Sequence, residues 1–95
     1  MEPKPNIFVL IRTYSAGVHA GTLASRDGQE VVLTDARRIW YWMGANTLNE
    51  LSQNGPGIGS KVSEPVPEIT LLQAIEIIPC SDEAVKAIRD CPWPK

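Results

Sequence analysis

Arg26-Asp27-Gly28-Gln29-Glu30-Val31-Val32-Leu33-Thr34-Asp35-Ala36-Arg37-Arg38-Ile39-Trp40-Tyr41-Trp42 is the stretch on which the fold turns. Asp27-Gly28 supplies a hairpin turn, because glycine takes the positive φ that a tight reversal demands. Val31-Val32-Leu33 reads as the strand after it. Thr34-Asp35-Ala36 reads as a short reversal, and residues 37–43 as a further strand rich in aromatic side chains. Upstream, Val18 to Ser25 forms the strand that enters the hairpin, with Gly21 inside it; a strand glycine marks a bulge or a close approach to the backbone. Ser15-Ala16-Gly17 is a turn signal. The run Ile7-Phe8-Val9-Leu10-Ile11, carried on by Arg12-Thr13-Tyr14, is a strand buried on both faces. Residues 6–44 are therefore expected to form an antiparallel β-meander of four strands.

Downstream the chemistry changes. Thr47-Leu48-Asn49-Glu50 fits a capping box, so a short helix is expected within 45–54, ending at Asn54-Gly55. Residues 55–67 hold three glycines and three prolines and read as a loop. Residues 68–79 are expected to be a strand. Leu71, Leu72, Ile75 and Ile78 also match helical spacing, but β-branched residues before Pro79 favour a strand over 74–78. Ser81 caps a C-terminal helix over 81–90, with Val85 and Ile88 as its apolar stripe and Pro92 and Pro94 beyond its end. The expected fold class is α+β: a small twisted antiparallel β-sheet or barrel with two short helices, in a single domain over 1–95.

Ninety-five residues suit one domain with a modest core, and self-association is a natural way to bury more surface, most simply as a symmetric dimer. The net charge of −2 argues against binding long nucleic acid through a basic surface. Residues 1–44 carry five Lys/Arg and four Asp/Glu, whereas 45–95 carry four and seven, so the basic excess lies in the aromatic-rich half. Met1-Glu2-Pro3-Lys4-Pro5 lacks the pattern of a signal peptide. The longest apolar run, Ile7 to Ile11, is far too short to span a bilayer. A soluble intracellular protein with no membrane partner is expected. Cys80 and Cys91 are too few for a disulfide scaffold.

Catalytic signatures are lacking. His19 is the sole histidine, which excludes His-pair zinc motifs. No Gly-x-Ser-x-Gly elbow occurs. Gly55-Pro56-Gly57-Ile58-Gly59-Ser60-Lys61 has Ser-Lys where a phosphate loop needs Lys followed by Ser or Thr, so it reads as a plain connection or a flap over a ligand. A thiol dyad would need Cys80 or Cys91 to meet His19 in space. The expectation is a binding protein, with no catalytic residues, metal or cofactor; a nucleotide-degrading enzyme is the alternative that His19 would have to serve.

The one concentrated signal is Arg37-Arg38-Ile39-Trp40-Tyr41-Trp42. Alternation puts Arg38, Trp40 and Trp42 on one face and Arg37, Ile39 and Tyr41 on the other. A nucleotide needs a flat apolar surface for its base and fixed donors for its phosphate. Base–aromatic stacking contributes about 1–3 kcal/mol per base, and arginine offers a rigid donor fork. Arg12, Tyr14, Ser15 and His19 of the first hairpin, with Lys61 of the Gly/Pro loop, complete the candidate ligand-binding set. Two other roles remain open for the same residues: tryptophans of a small sheet serve as core or as oligomer contact, and Trp, Tyr and Arg dominate protein–protein hot spots.

At these residues the chain resembles a family of short proteins encoded by tailed bacteriophages and prophages. The resemblance rests on residues 11–19 (IRTYSAGVH), Gly21-Thr22-Leu23, residues 35–42 (DARRIWYW), Gly44-Ala45, Thr47-Leu48 and residues 74–79 (AIEIIP), covering most of the chain from Ile11 to Ser81. It implies phage origin and the host bacterial cytoplasm, without an activity. A second resemblance is of type alone. Phages encode small oligomeric sponges that sequester the cyclic nucleotide or cyclic ADP-ribose-like signals of defences such as Thoeris and CBASS without cleaving them. That resemblance implies an anti-defence protein that binds a small nucleotide signal as a homo-oligomer; the alternative is a protein–protein inhibitor or accessory factor.

Overall fold

A computed structural model describes residues 7–42, 47–57 and 59–92. In chain order the elements are β1 (Phe8–Thr13), β2 (Val18–Asp27), β3 (Glu30–Tyr41), α1 (Leu48–Asn54), β4 (Lys61–Val62), β5 (Val66–Leu71), β6 (Ala74–Pro79) and α2 (Asp82–Asp90). The class is α+β, with a six-stranded antiparallel sheet ordered β4-β3-β2-β1-β6 and β5 also on β3.

The central hairpin forms as its sequence demands. Asp27 pairs with Glu30, leaving Gly28-Gln29 as the loop, and Gly28 has φ +61°. Thr34-Asp35-Ala36, however, does not reverse the chain. The two strands expected on either side of it are one, β3, and Asp35 sits within it at φ +51°. Register explains this: Ala20 opposes Arg37 and Thr22 opposes Thr34, so β3 carries one extra residue opposite Gly21. This is a β-bulge, which bends and twists the hairpin. Gly21 permits it, since a Cβ there would lie 3.0 Å from the Thr34 carbonyl oxygen and 3.2 Å from Leu33 Cβ. A second register shift, between Leu23 and Ser25, bends β2 further along.

Two corrections concern the C-terminal half. The Gly/Pro loop over 55–67 contains β4 and runs into the start of β5. The strand expected over 68–79 is two strands separated by Leu72-Gln73. β5 pairs with β3, Leu71 facing Val31, whereas β6 pairs with β1, Ala74 facing Thr13. Both run in the direction of β2, so the chain passes from one margin of the sheet to the other without reversing. The transfer is visible in the hydrogen bonds: Ala74 N–H donates to Gln29 O and Tyr14 N–H to Gln73 O, each at 3.0 Å. Three residues span at most about 10 Å. The hairpin must therefore fold over at its bulges until its tip meets the end of β1, and the sheet rolls on itself.

Rolling produces two cores. Val9, Ile11, Leu23, Val31, Leu33, Ala36, Leu71 and Ala74 pack inside the roll. Leu10, Ala20, Ile39 and Val62 face the other way and are covered by Leu51 of α1 and Ile88 of α2. The helices begin at the expected caps: Thr47 Oγ1 accepts from Glu50 N–H, and Ser81 Oγ from Ala84 N–H. Gly55 ends α1 at φ +77°, ψ 176°, a conformation reserved for glycine, and lies against α2. A Cβ there would come 2.5 Å from Ala87 Cβ. We expect Gly55→Ala to destabilise the fold by on the order of 2–4 kcal/mol, combining backbone strain and overpacking. Urea denaturation would read this as a lower midpoint with unchanged slope.

Candidate functional site

Consecutive strand residues face opposite ways, and the register decides which way each candidate goes. Arg37 opposes Ala20, on the helix-covered face; Arg38 opposes His19, on the inner face of the roll. Arg12 opposes Val18, which opposes Ile39, so Arg12 belongs to the helix side as well. The three arginines of the expected phosphate grip therefore do not converge.

Arg37 is buried and committed to the fold. Its Nε donates to Ser63 O at 2.7 Å and its Nη1 to Ile88 O at 2.6 Å, with Arg89 O at 3.4 Å. The last carbonyls of a helix lack intrahelical donors and carry partial negative charge. Arg37 supplies both a donor and a positive charge to the end of α2, and pins the β4–β5 connection to it. Burial pulls its pKa down, opposed by the nearby Cys91 and Asp35. Arg12 forms an exposed ion pair with Glu76 at 3.2 Å.

The aromatic residues part company too. Trp40 is exposed, with Lys61 Nζ 5.1 Å from its ring centroid, a cation–π contact. Trp42, expected to share the face of Trp40, instead packs against the helix-side core: a register shift between Ile39 and Tyr41 interrupts the alternation, and β3 ends at Tyr41. The Tyr41 side chain lies outside the described part of the structure. Tyr14 is exposed in the β1–β2 turn, and Ser15 Oγ donates to Gln73 Oε1 at 2.6 Å, which ties that turn to the β5–β6 link.

What remains is a pocket of about 220 Å³ at the mouth of the roll, lined by His19, Ala36, Arg37, Arg38, Ser63, Glu64, Val66 and Ile69. Arg38 stands exposed at its edge, with no carboxylate at ion-pair distance among the described residues. Its backbone is clamped: Arg38 N–H donates to Ser63 Oγ at 2.8 Å, and Ser63 N–H to Arg38 O at 2.7 Å. His19 is only 1% exposed, and its Nε2–H donates to Ala16 O at 2.9 Å. That carbonyl is held in place by the turn, in which Ala16 N–H donates to Thr13 Oγ1 and Thr13 Oγ1 donates to Gly17 O. Ser63, Glu64, Val66 and Ile69 carry no signal in the sequence that marks them as site residues. Glu64 is legible there only as one more surface carboxylate, and nothing local shows that the connection crosses β3.

Catalytic groupings are sparse. Cys80 and Cys91 pack in the helix-side core, across the sheet from His19, so the thiol dyad does not assemble. Burial pushes the Cys80 thiol up to about 12 and leaves it unreactive near neutral pH. Among the described residues, no three His, Cys, Asp or Glu side chains gather as a metal site. No helix of the described residues is long and apolar enough to cross a membrane.

Two outcomes follow. Arg37→Leu should cost on the order of 2–3 kcal/mol, because it strips the donors from buried carbonyls, whereas Arg38→Ala should leave stability nearly unchanged. Chemical denaturation of both variants checks the contrast. His19 has its pKa lowered from 6.5, first by burial and then by Arg38, with the Ala16 hydrogen bond acting the other way. Its stabilising contribution is thus complete above pH 6.5 and declines as pH falls from there toward the folded value, since the unfolded chain binds the proton more readily. The melting temperature should fall on acidification through that range, and His19→Gln should flatten the slope.

No curated protein and no solved structure matches the chain. A family model described as a domain of unknown function, DUF6948, matches residues 7–88; that description names neither a phage source nor a ligand. The match takes in every strand and nearly all of α2, the rolled sheet and its pocket included, and by it the chain belongs to the DUF6948 family.

Proposed function

We propose that this chain is a binding protein, not a catalyst, that holds a small nucleotide at the mouth of its rolled sheet. Mouths of small barrels, with apolar walls and a few converging polar groups, are habitual ligand sites. The observation that carries the reading is the Arg38 guanidinium, exposed and unmatched by a carboxylate among the described residues, at the rim of a pocket walled by Ala36, Val66 and Ile69. A volume of about 220 Å³ is smaller than the roughly 300–1,000 Å³ that encloses a whole drug-sized ligand. The pocket therefore takes one end of the nucleotide, its phosphate and sugar, with Arg38 as the anion anchor. The base lies outside, against Trp40, which is exposed two residues along β3 from Arg38. Lys61 Nζ lies 5.1 Å from the centroid of that ring, whose residue is 55% exposed and so accessible to a stacked base.

In a phage-encoded protein such binding would act by sequestering a cyclic nucleotide or cyclic ADP-ribose-like immune signal in the host cytoplasm. A second reading has its own support. Tyr14 (78% exposed), Leu72 (68%) and Ile75 (45%) lie around the β5–β6 link, a surface suited to a protein partner or to a second copy of the chain.

Calorimetry and thermal shift against linear and cyclic nucleotides test the first reading. Arg38→Ala should weaken binding at least tenfold and Trp40→Ala by about tenfold, the latter matching about 1.4 kcal/mol of stacking. Arg12→Ala should change nothing, because that residue lies across the sheet. Bound nucleotide should be recovered chemically unchanged after denaturation. A chain that ignores every nucleotide yet co-purifies with one host protein, through a Tyr14-dependent contact, belongs to the second reading.

A further inference from the structure

His19 has two ring nitrogens, and the fold has already assigned one of them. Ala16 O has only lone pairs to offer, so the His19 Nε2 that meets it at 2.9 Å must carry a hydrogen. Burial disfavours the charged imidazolium, and Arg38, one strand over in the same row, disfavours it further. The ring is then the neutral Nε2–H tautomer, and Nδ1 keeps its lone pair. No protein donor meets Nδ1 among the described residues, although the ring is almost wholly buried and lines the pocket. Nδ1 is not sealed from solvent, so water can serve it until a ligand that donates takes that place.

Charge in the pocket narrows the choice of donor. Arg38 contributes one cation at the edge, and Glu64, an exposed residue, lines the same pocket. A doubly charged terminal phosphate would meet Arg38 but also face Glu64 and the Nδ1 lone pair. A singly charged phosphodiester with hydroxyl or amino groups next to it meets each group with its complement. Resting on the nucleotide reading above, we infer that His19 is a specificity-determining acceptor, and that the ligand is a phosphodiester nucleotide donating a hydrogen bond from a sugar hydroxyl to His19 Nδ1. A site built to accept from a hydroxyl rejects the analogue lacking it, because its buried acceptor is left unpaired.

The test has a part that needs no ligand. Long-range proton–nitrogen NMR of the labelled full chain at neutral pH should find the His19 proton on Nε2; a proton on Nδ1 overturns the inference outright. Calorimetry then compares 3′,5′-cyclic nucleoside monophosphates with their 2′-deoxy counterparts and each cyclic ligand with its open 5′-monophosphate, with adenine against unsubstituted purine as the control for a base that lies outside the pocket. We expect a loss of at least tenfold on removing the 2′-hydroxyl, little change on removing the base amino group, and weaker binding of the open monophosphate. His19→Gln keeps a donor near Ala16 O but removes the Nδ1 acceptor, and should bring the donor-bearing ligand down to the level of its partner. Arg38-dependent binding with no donor preference overturns this inference and leaves the nucleotide reading standing. Failure of the wild-type chain to bind any of these nucleotides overturns both.

Discussion

Leu71 and Ala74 lie so close in sequence that their backbones cannot be far apart, yet one is paired to β3 and the other to β1. That constraint shapes the whole molecule. A flat sheet would hold β5 and β6 apart by the widths of β3, β2 and β1, about 19 Å, beyond the reach of the Leu72-Gln73 link. Only a hairpin that folds over at the Gly21–Asp35 bulge can satisfy both pairings. Once it does, the alternating side chains of β1, β2 and β3 are divided between an enclosed inner core and an outer face left for the helices. The pocket is the gap where the rolled sheet does not close completely.

The margins left open are blunted. β6 ends at Pro79, which lacks an N–H, carries a register shift opposite Arg12/Thr13, and spends the Ala74 N–H on Gln29. β5 carries Pro67 and Glu68. Proline, bulges and charge are ordinary protections against unwanted strand pairing. Association of copies is therefore better served by the side chains of Tyr14, Leu72 and Ile75 than by extending the sheet.

Arg37 and Arg38 illustrate how little chemical type says about role. They are neighbours of identical chemistry, and alternation alone turns one toward the helix side, where it is buried, and leaves the other exposed. Arg37 donates through Nε and Nη1 to carbonyls that include the end of α2, and so joins helix to sheet. Arg38 has its backbone fixed by Ser63 while its guanidinium stays open to solvent. His19 is fixed by a comparable device, a side chain–backbone relay through Thr13 that sets the position of Ala16 O. His19 and the backbone of Arg38 are thus each held by a neighbouring connection, the preorganisation that the proposed binding would use.

Local chemistry determined the elements. The glycine turn at 28, the caps at Thr47 and Ser81, the glycine stop at 55 and the β-branched runs of β1 and β6 each follow from interactions within a few residues, and each was legible in the chain. The period of two along a strand likewise sets Arg37 and Arg38 on opposite faces, whatever those faces later meet. Tertiary contact decided the rest. The positive φ at Asp35 belongs to a reversal or to a bulge equally well, and only the pairing with Gly21 selects the bulge. The split of β5 from β6 depends on two distant strands competing for one segment. Which arginine is consumed depends on where a helix some way further along the chain comes to end, and the lining supplied by Ser63 and Glu64 on where their connection crosses β3. Hydrogen bonding and steric preference act over a few bonds, so sequence carries them; burial and pairing are settled only when the rolled sheet brings remote residues together.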